Sequence, residues 1–121
     1  MNVTNLKKTR DYIAAHPEDY DQSNWMHDCG TPACVAGYAV VACGGTLVPN
    51  DRCITSDGVM MRADDHAEEL LELTAYQGDR MFISDPFGGQ SRSIEMRPTV
   101  ADALAMLDHA IKHGEVRWPE R

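Results

Sequence analysis

The chain has little positive charge and no long hydrophobic segment. It carries 11 lysine and arginine residues against 19 aspartate and glutamate residues, for a formal net charge of -8. Binding to a phosphate backbone requires basic side chains that displace counterions, so this balance argues against a nucleic-acid partner. The longest apolar run, 32–44, is too short to span a bilayer. An acidic surface favours solubility and is compatible with a basic partner.

Targeting segments, internal repeats and low-complexity tracts are also missing. The residues 1–8 lack the apolar centre of a signal peptide. With 121 residues, the chain predicts one domain spanning 1–121. We therefore expect a cytoplasmic protein without a membrane partner. We expect its four cysteines to be reduced thiols, namely Cys29, Cys34, Cys43 and Cys53.

The segment that follows Thr31 predicts a buried helix. Thr31 is a favourable N-cap residue, and Pro32 suits the first helical position because its missing N–H has no partner to lose. Every residue in 33–43 is apolar or small, and a helix that is apolar on all sides is buried on all sides. Cys43 is then a small core residue, and the glycine pair that follows it ends the helix.

Capping residues and apolar periodicity predict four more helices. Their expected ranges are about 5–16, 65–73, 74–83 and 99–113. The expected N-caps are Asn5, Asp65, Thr74 and Thr99, and the helix after Thr74 should carry Met81, Phe82 and Ile83 to the core. The segment 46–61 predicts a small β-hairpin with a turn at 56–58. The expected fold is mainly α with a minor β part: a compact helical domain around one buried central helix, with that hairpin at an edge.

The thiols of Cys29 and Cys34, near the N-terminus of the predicted central helix, are candidate nucleophiles. Unpaired N–H groups and the helix dipole stabilise a thiolate there and lower its pKa. A thiol enzyme also needs a histidine base, and the possible bases are His27, His66, His109 and His113. The segment is similar to the active-site segment of papain-like proteases, in which Cys-Gly-x-Cys opens a buried helix. The candidate catalytic residues are Cys34, Cys29, His27 and His66, and simple packing is the alternative.

Other chemical motifs are incomplete. His27, Cys29, Cys34 and Cys53 could ligate a metal, but a second close ligand pair is missing, so we expect no metal and no cofactor. A redox disulfide between Cys29 and Cys34 would lack the usual two-residue spacing.

Two nucleotide-related patterns are equally weak. The segment 67–82 has a superficial helix-turn-helix spacing, but only one basic residue lies in its second helix and its first helix is acidic. The loop 87–92 lacks the Gly-Lys-Ser/Thr ending of a phosphate-binding loop. Both are better explained as a helical hairpin and as turn chemistry.

Two motifs occur in different parts of the chain. Trp25 precedes Cys29-Gly30-Thr31 and then Cys34-Val35-Ala36-Gly37-Tyr38-Ala39. The second pattern comprises Ala67, Leu70-Leu71, Leu73-Thr74, Gln77 and Met81-Phe82. Together they resemble a family of small uncharacterised proteins from bacteria and their phages, over roughly 5–113. The resemblance implies an accessory role in a phage or a bacterium but brings no mechanism. Within the first pattern, the candidate binding residues are Trp25, Thr31 and Tyr38.

These observations leave two functional hypotheses. The leading one is a small acidic, non-enzymatic binding module, encoded by a phage, that engages a host macromolecule, with a protein as the expected partner. The alternative is a thiol-dependent hydrolase or transferase whose nucleophile is Cys34 or Cys29.

Overall fold

The computed structural model describes residues 1–22, 24, 26, 30–84, 86–87 and 97–120. Among these residues it contains five α-helices and one three-stranded antiparallel sheet. In chain order the elements are α1 (Val3–Ala15), α2 (Val35–Ala42), β1 (Thr46–Val48), β2 (Arg52–Ile54), β3 (Met60–Arg62), α3 (Ala63–Leu71), α4 (Ala75–Met81) and α5 (Val100–His113). The predicted helices and small antiparallel β part are present, but the architecture is mixed α+β rather than clearly mainly α.

The predicted hairpin is one half of the sheet. Strand β2 pairs with β1 on one side and with β3 on the other, so that Leu47, Cys53 and Met61 lie side by side. The turn between β1 and β2 places Asn50 and Asp51 at positive φ, at 67° and 60°. Asparagine and aspartate tolerate this left-handed conformation better than most residues. The segment Pro49-Asn50-Asp51 therefore forms the turn between β1 and β2 without glycine.

Helix α2 begins four residues after the predicted N-cap. Its N-cap is Cys34, in an extended conformation, and not Thr31. The preceding residues are held extended, because Pro32 forms an antiparallel bridge with Met26 and Ala33 accepts a backbone hydrogen bond at 2.8 Å. The run from Val35 to Val40 is fully buried, as predicted. Cys43, in contrast, is only half-buried at the C-cap, so the expectation of a core position is corrected.

The side chain of Gln22 supplies the polar partner at the start of α2. Its Oε1 accepts the N–H of Val35 at 3.3 Å, and its Nε2 donates to the carbonyls of Met81 and Ile83 at 3.2 and 2.9 Å. One buried amide therefore joins the first turn of α2 to the end of α4. A helix terminus needs such a partner because its first N–H groups have none within the helix.

The first residues of α1 also serve a distant helix. Asn2 is the N-cap of α1, accepting the N–H of Asn5 at 3.0 Å, which corrects the prediction that Asn5 caps this helix. Asn5 instead donates its side-chain amide to the carbonyl of Leu70 at 2.7 Å, and the N–H of Asn2 donates to Leu71 at 2.8 Å. The start of α1 thereby satisfies carbonyl groups at the end of α3.

Of the three other predicted N-caps, one is wrong and two are confirmed. Helix α3 begins at Ala63 behind Arg62, so Asp65 lies inside the helix and does not cap it. The reciprocal capping boxes Thr74–Gln77 and Thr99–Asp102 are both present, as predicted.

The core forms where α2 packs against α1 and α3, with α5 on the other side of α1 and the sheet beside α2 and α3. The largest fully buried side chains include Tyr38, Leu6, Ile13, Leu71, Met81, Met106 and Leu107. Ile83 is 43% exposed, which corrects its predicted core position. Within the residues described, none of the helices has the length and apolar character needed to cross a membrane.

Candidate functional site

Cys34 lies at the N-terminus of α2, as a nucleophile would, but in the core. It is only 2% exposed. Burial raises the pKa of the Cys34 thiol to about 11, although the backbone N–H groups of Gly37 and Ala36 act in the opposite direction. A thiol with this pKa is almost entirely protonated at neutral pH, so the expected activation by the helix terminus is outweighed by desolvation.

The surroundings of Cys34 are aromatic and tightly bonded. The hydroxyl of Tyr38 donates to the carbonyl of His16 at 2.6 Å, and that of Tyr20 donates to Gln22 Oε1 at 3.0 Å. The rings of Tyr12 and Tyr38 meet edge-on, with centroids 5.8 Å apart. Burial raises the pKa of both Tyr20 and Tyr38. These contacts describe a packed core and not an open pocket.

Tyr38 and Thr31 take different positions relative to the surface. Tyr38 is fully buried, so its position does not support a role in contacting a partner. Thr31 is half-buried just before α2. Trp25, Cys29 and His27 lie outside the described residues.

Among the described candidate bases, His66 lies in the core without a hydrogen bond to Cys34. His66 is 9% exposed in α3, and its Nδ1 lies 3.6 Å from Glu69 Oε2 without a hydrogen bond. In the part of the chain that the structure describes, no hydrogen bond joins Cys34 to a histidine. The thiol and His66 are thus both present near the core, without the direct bond that a nucleophile and its base share.

The other two described thiols are also raised in pKa. Burial raises the pKa of Cys53, and the charge of Glu69 adds to the effect. Burial likewise raises the pKa of Cys43, partly opposed by Lys8. Cys34, Cys43 and Cys53 are all free thiols. Among the described residues, no three His, Cys, Asp or Glu side chains surround a point where a metal ion could be held.

A cleft between α3 and α4 combines charge with apolar surface. It encloses about 190 Å³ and is lined by Asp64, Glu68, Gly78, Asp79, Phe82 and Ile83. The helices approach closely because Gly78 has no side chain: a Cβ there would stand 2.6 Å from the side chain of Glu68. Burial raises the pKa of Glu68, and the charges of Asp65, Asp79 and Asp64 raise it further.

The outer face of α4 carries an exposed aromatic residue beside this cleft. Tyr76 is 70% exposed, and the guanidinium of Arg80 lies 5.6 Å from its ring centroid. Tyr76 and Asp79 are three residues apart and therefore neighbours on the helix surface. In the sequence, the acidic residues of α3 indicate only that DNA is an unfavourable partner. Those residues were the available signal for the cleft, but its second wall depends on the contact between α3 and α4.

Comparisons of the chain with protein-family models, curated proteins and solved structures find no match.

Proposed function

We propose that the chain is a small acidic, non-enzymatic binding module that engages a protein partner. The observation that carries the proposal is the cleft between α3 and α4. Asp64, Glu68 and Asp79 give it negative charge, and Phe82 and Ile83 give it apolar surface. A lysine or arginine side chain fits this combination, because its stem is apolar and its end is positive.

The charges in the cleft favour a cationic occupant. Arg62 reaches Asp64 through two hydrogen bonds, at 3.1 and 3.3 Å. Glu68 and Asp79 form no ion pair with any residue that the structure describes. Burial and then the neighbouring carboxylates raise the pKa of Glu68, so a bound cation would relieve repulsion as well as form new contacts.

Tyr76 supplies an aromatic anchor next to the charged cleft. Tyrosine is enriched among the residues that dominate binding energy at protein interfaces. Ile83, which follows the end of α4 and lines the same cleft, is 43% exposed and adds apolar surface near Tyr76 on the chain. The proposed partner surface is therefore basic with an apolar centre.

The biological setting belongs to the same proposal. The family resemblance and the acidic charge together support a cytoplasmic accessory protein of a phage or a bacterium that engages a host macromolecule. The charge argues against a nucleic acid in that role.

The thiol-dependent alternative receives less support from the structure. It needs an ionised, accessible cysteine, whereas Cys34 is buried and has a pKa of about 11. Its remaining candidate, Cys29, lies outside the described residues. Turnover of a substrate that is lost in Cys29→Ala or Cys34→Ala would favour this alternative over the binding module.

Site-specific photocrosslinking tests the binding proposal. A photoreactive amino acid replaces Tyr76 beside the cleft or, as a matched control, Asp57 in the exposed turn between β2 and β3. In a bacterial lysate we expect a product of defined mass from position 76 only. That product should disappear when Glu68→Lys and Asp79→Lys are added and when the salt concentration is raised. Identical products from both positions, or none from position 76, would contradict the proposed surface.

A further inference from the structure

One face of the three-stranded sheet is exposed and carries two arginines. Successive side chains of a strand point to opposite faces of a sheet, and the side chains of Leu47 and Cys53 are buried in the core. Their neighbours along each strand therefore form the outer face of the sheet. In register across the three strands, one row of this face consists of Thr46, Ile54 and Met60, and the other consists of Val48, Arg52 and Arg62. The outer face is thus basic in one row and largely apolar in the other.

The charges of the outer face are only partly balanced within the chain. Arg52 and Arg62 are exposed and lie directly opposite each other on neighbouring strands, and like charges in this position are destabilising. The guanidinium of Arg62 is bonded to Asp64. That of Arg52 has no ion pair or hydrogen bond within the described ranges of the chain. A carboxylate supplied by a partner would therefore offset the repulsion at Arg52.

The outer face has the character proposed above for the partner of the cleft between α3 and α4. It is basic, and apolar side chains lie beside the charge, among them Met60, which is 58% exposed. The cleft offers the carboxylates of Glu68 and Asp79, which are likewise without an ion pair among the described residues. Unpaired charges of opposite sign and exposed apolar side chains are therefore present on two surfaces of the same chain.

These two surfaces also adjoin each other on the molecule. Arg62 ends β3 and is the N-cap residue of α3, and its guanidinium reaches Asp64, which lines the cleft. When two complementary surfaces are neighbours, a two-fold axis near their border brings each of them against the other surface of a second copy. Every contact then forms twice, and the assembly closes as a dimer.

We propose that a second copy of the chain occupies the cleft, in a two-fold dimer in which the outer face of each sheet lies against the cleft of the other copy. In this arrangement Arg52 of each copy faces the carboxylates of Glu68 and Asp79 of the other copy. The proposal rests on the proposed function, because it uses the same cleft and names its occupant. Another protein that binds the cleft competes with the second copy, so dimerisation covers the cleft when no other partner is bound.

Charge reversal on each of the two surfaces tests the dimer. Sedimentation velocity measures the mass of the purified full chain over a range of concentrations, and the wild type should approach twice the mass of one chain. Arg52→Glu places a like charge against the cleft, and Asp79→Lys places a like charge against the sheet. Each variant alone should dimerise at least about tenfold more weakly, because like charges that meet at an interface are strongly unfavourable.

An equal mixture of the two variants tests the two-fold arrangement itself. In the mixed dimer one contact is the native pair and the other is the same pair with its charges exchanged, so both contacts attract. The mixture should therefore dimerise about as well as the wild type. Lys7→Glu is the matched control, because Lys7 is exposed on α1 and its reversal changes the net charge by the same amount as Arg52→Glu.

Three results would overturn the dimer: a wild type that stays monomeric, a mixture that associates no better than the single variants, or an equal loss of association in Lys7→Glu. Circular dichroism of every variant checks folding first. Arg52 and Asp79 are exposed, so both reversals should retain the helical spectrum.

Photocrosslinking from position 76 separates this proposal from the proposed function. The purified chain alone should give a product of twice the mass of one chain. Position 57 remains a control, because its turn lies at the opposite end of β2 from Arg52. If the purified chain gives no product and a lysate gives one of another mass, the second copy is the wrong occupant and the binding surface stands. An absence of product in both samples would contradict both proposals.

Discussion

Cys34 shows how position along a helix and position in the core act against each other. The helix terminus favours the thiolate, and desolvation favours the neutral thiol. The thiol is nearly completely buried, and its pKa of about 11 shows that desolvation has the larger effect. The effect of the helix terminus could be predicted from the residues beside Cys34. The effect of desolvation could not, because burial depends on elements far along the chain.

Cysteine alkylation therefore has a specific expected outcome. At pH 8 a thiol with this pKa is about 0.1% ionised, and Cys34 is also inaccessible. We expect iodoacetamide to modify the half-exposed Cys43 faster than Cys34 in the folded protein, and to modify both in urea. Mass spectrometry of peptides gives the rate at each cysteine. Rapid modification of Cys34 in the folded state near pH 7 would show that it is an activated thiol.

Gln22 is a residue whose role is visible only in the folded structure. It bonds the N–H of Val35 and two carbonyls at the end of α4, none of which is near it in sequence. Removing this amide leaves buried polar groups without partners, and one such group costs about 1–3 kcal/mol.

We expect Gln22→Ala to lower the free energy of unfolding by about 2–4 kcal/mol, since more than one buried group loses its partner. Urea denaturation measures the change. Gln77→Ala is the control, because Gln77 belongs to an exposed capping box and should lower stability by only about 0.5–1 kcal/mol. Equal effects of the two substitutions would mean that Gln22 is not the joint between α2 and α4.

At the scale of elements, local signals predicted well and distant ones did not. The capping boxes at Thr74 and Thr99 depend on residues three apart, and both are present. The predicted start of α2 at Thr31 is wrong, because the bridge between Met26 and Pro32 keeps the chain extended beyond Thr31. Both Asn2 and Asn5 are suitable caps for α1, and the choice is decided by the contact of Asn5 with Leu70.

The cleft between α3 and α4 could likewise be predicted only in part from the sequence. The acidic residues of α3 are plain in the sequence, but the cleft also needs Asp79 and Phe82 from α4. The two helices approach at Gly78, whose buried position is a property of their packing. A glycine inside a helix is normally unfavourable, so its presence in α4 was a weak sign of close packing.

A double-mutant cycle at Gly78 and Glu68 tests the close contact between α3 and α4. Alanine at position 78 should add about 1 kcal/mol of helix stability, but its Cβ would meet the side chain of Glu68. We therefore expect Gly78→Ala alone to give little or no stabilisation. In the Glu68→Ala background the same substitution should give the full gain, measured by urea denaturation. Additive effects of the two substitutions would contradict the contact between α3 and α4 at this point.

At the scale of the whole molecule, the net charge is -8, and part of the negative charge lies at the cleft between α3 and α4. Burial and the charges of Asp65, Asp79 and Asp64 raise the pKa of Glu68 above its ordinary value. A carboxylate whose pKa is higher in the folded protein destabilises the fold when it is ionised. This destabilisation is present at neutral pH and is lost as the pH falls through the raised pKa toward that of the unfolded chain.

We therefore expect Glu68→Gln to raise the melting temperature at pH 7. The difference between variant and wild type should shrink as the pH falls and vanish well below the ordinary glutamate pKa of about 4.3, where Glu68 is protonated in both states. Thermal unfolding followed across this pH range tests the prediction. Glu72→Gln is the control for removal of an exposed charge from the same region, and an equal effect would show that net charge alone is responsible.

The contact between the start of α1 and the end of α3 also has a consequence for synthesis on the ribosome. Asn5 and its partner Leu70 are separated by 65 positions. The ribosome must therefore synthesise α1, α2, the sheet and α3 before this bond can form. Until then the earlier segments have apolar surface exposed to solvent. Stalled chains that end before α3 has emerged should accordingly be sensitive to proteases, and chains that include α3 should become resistant.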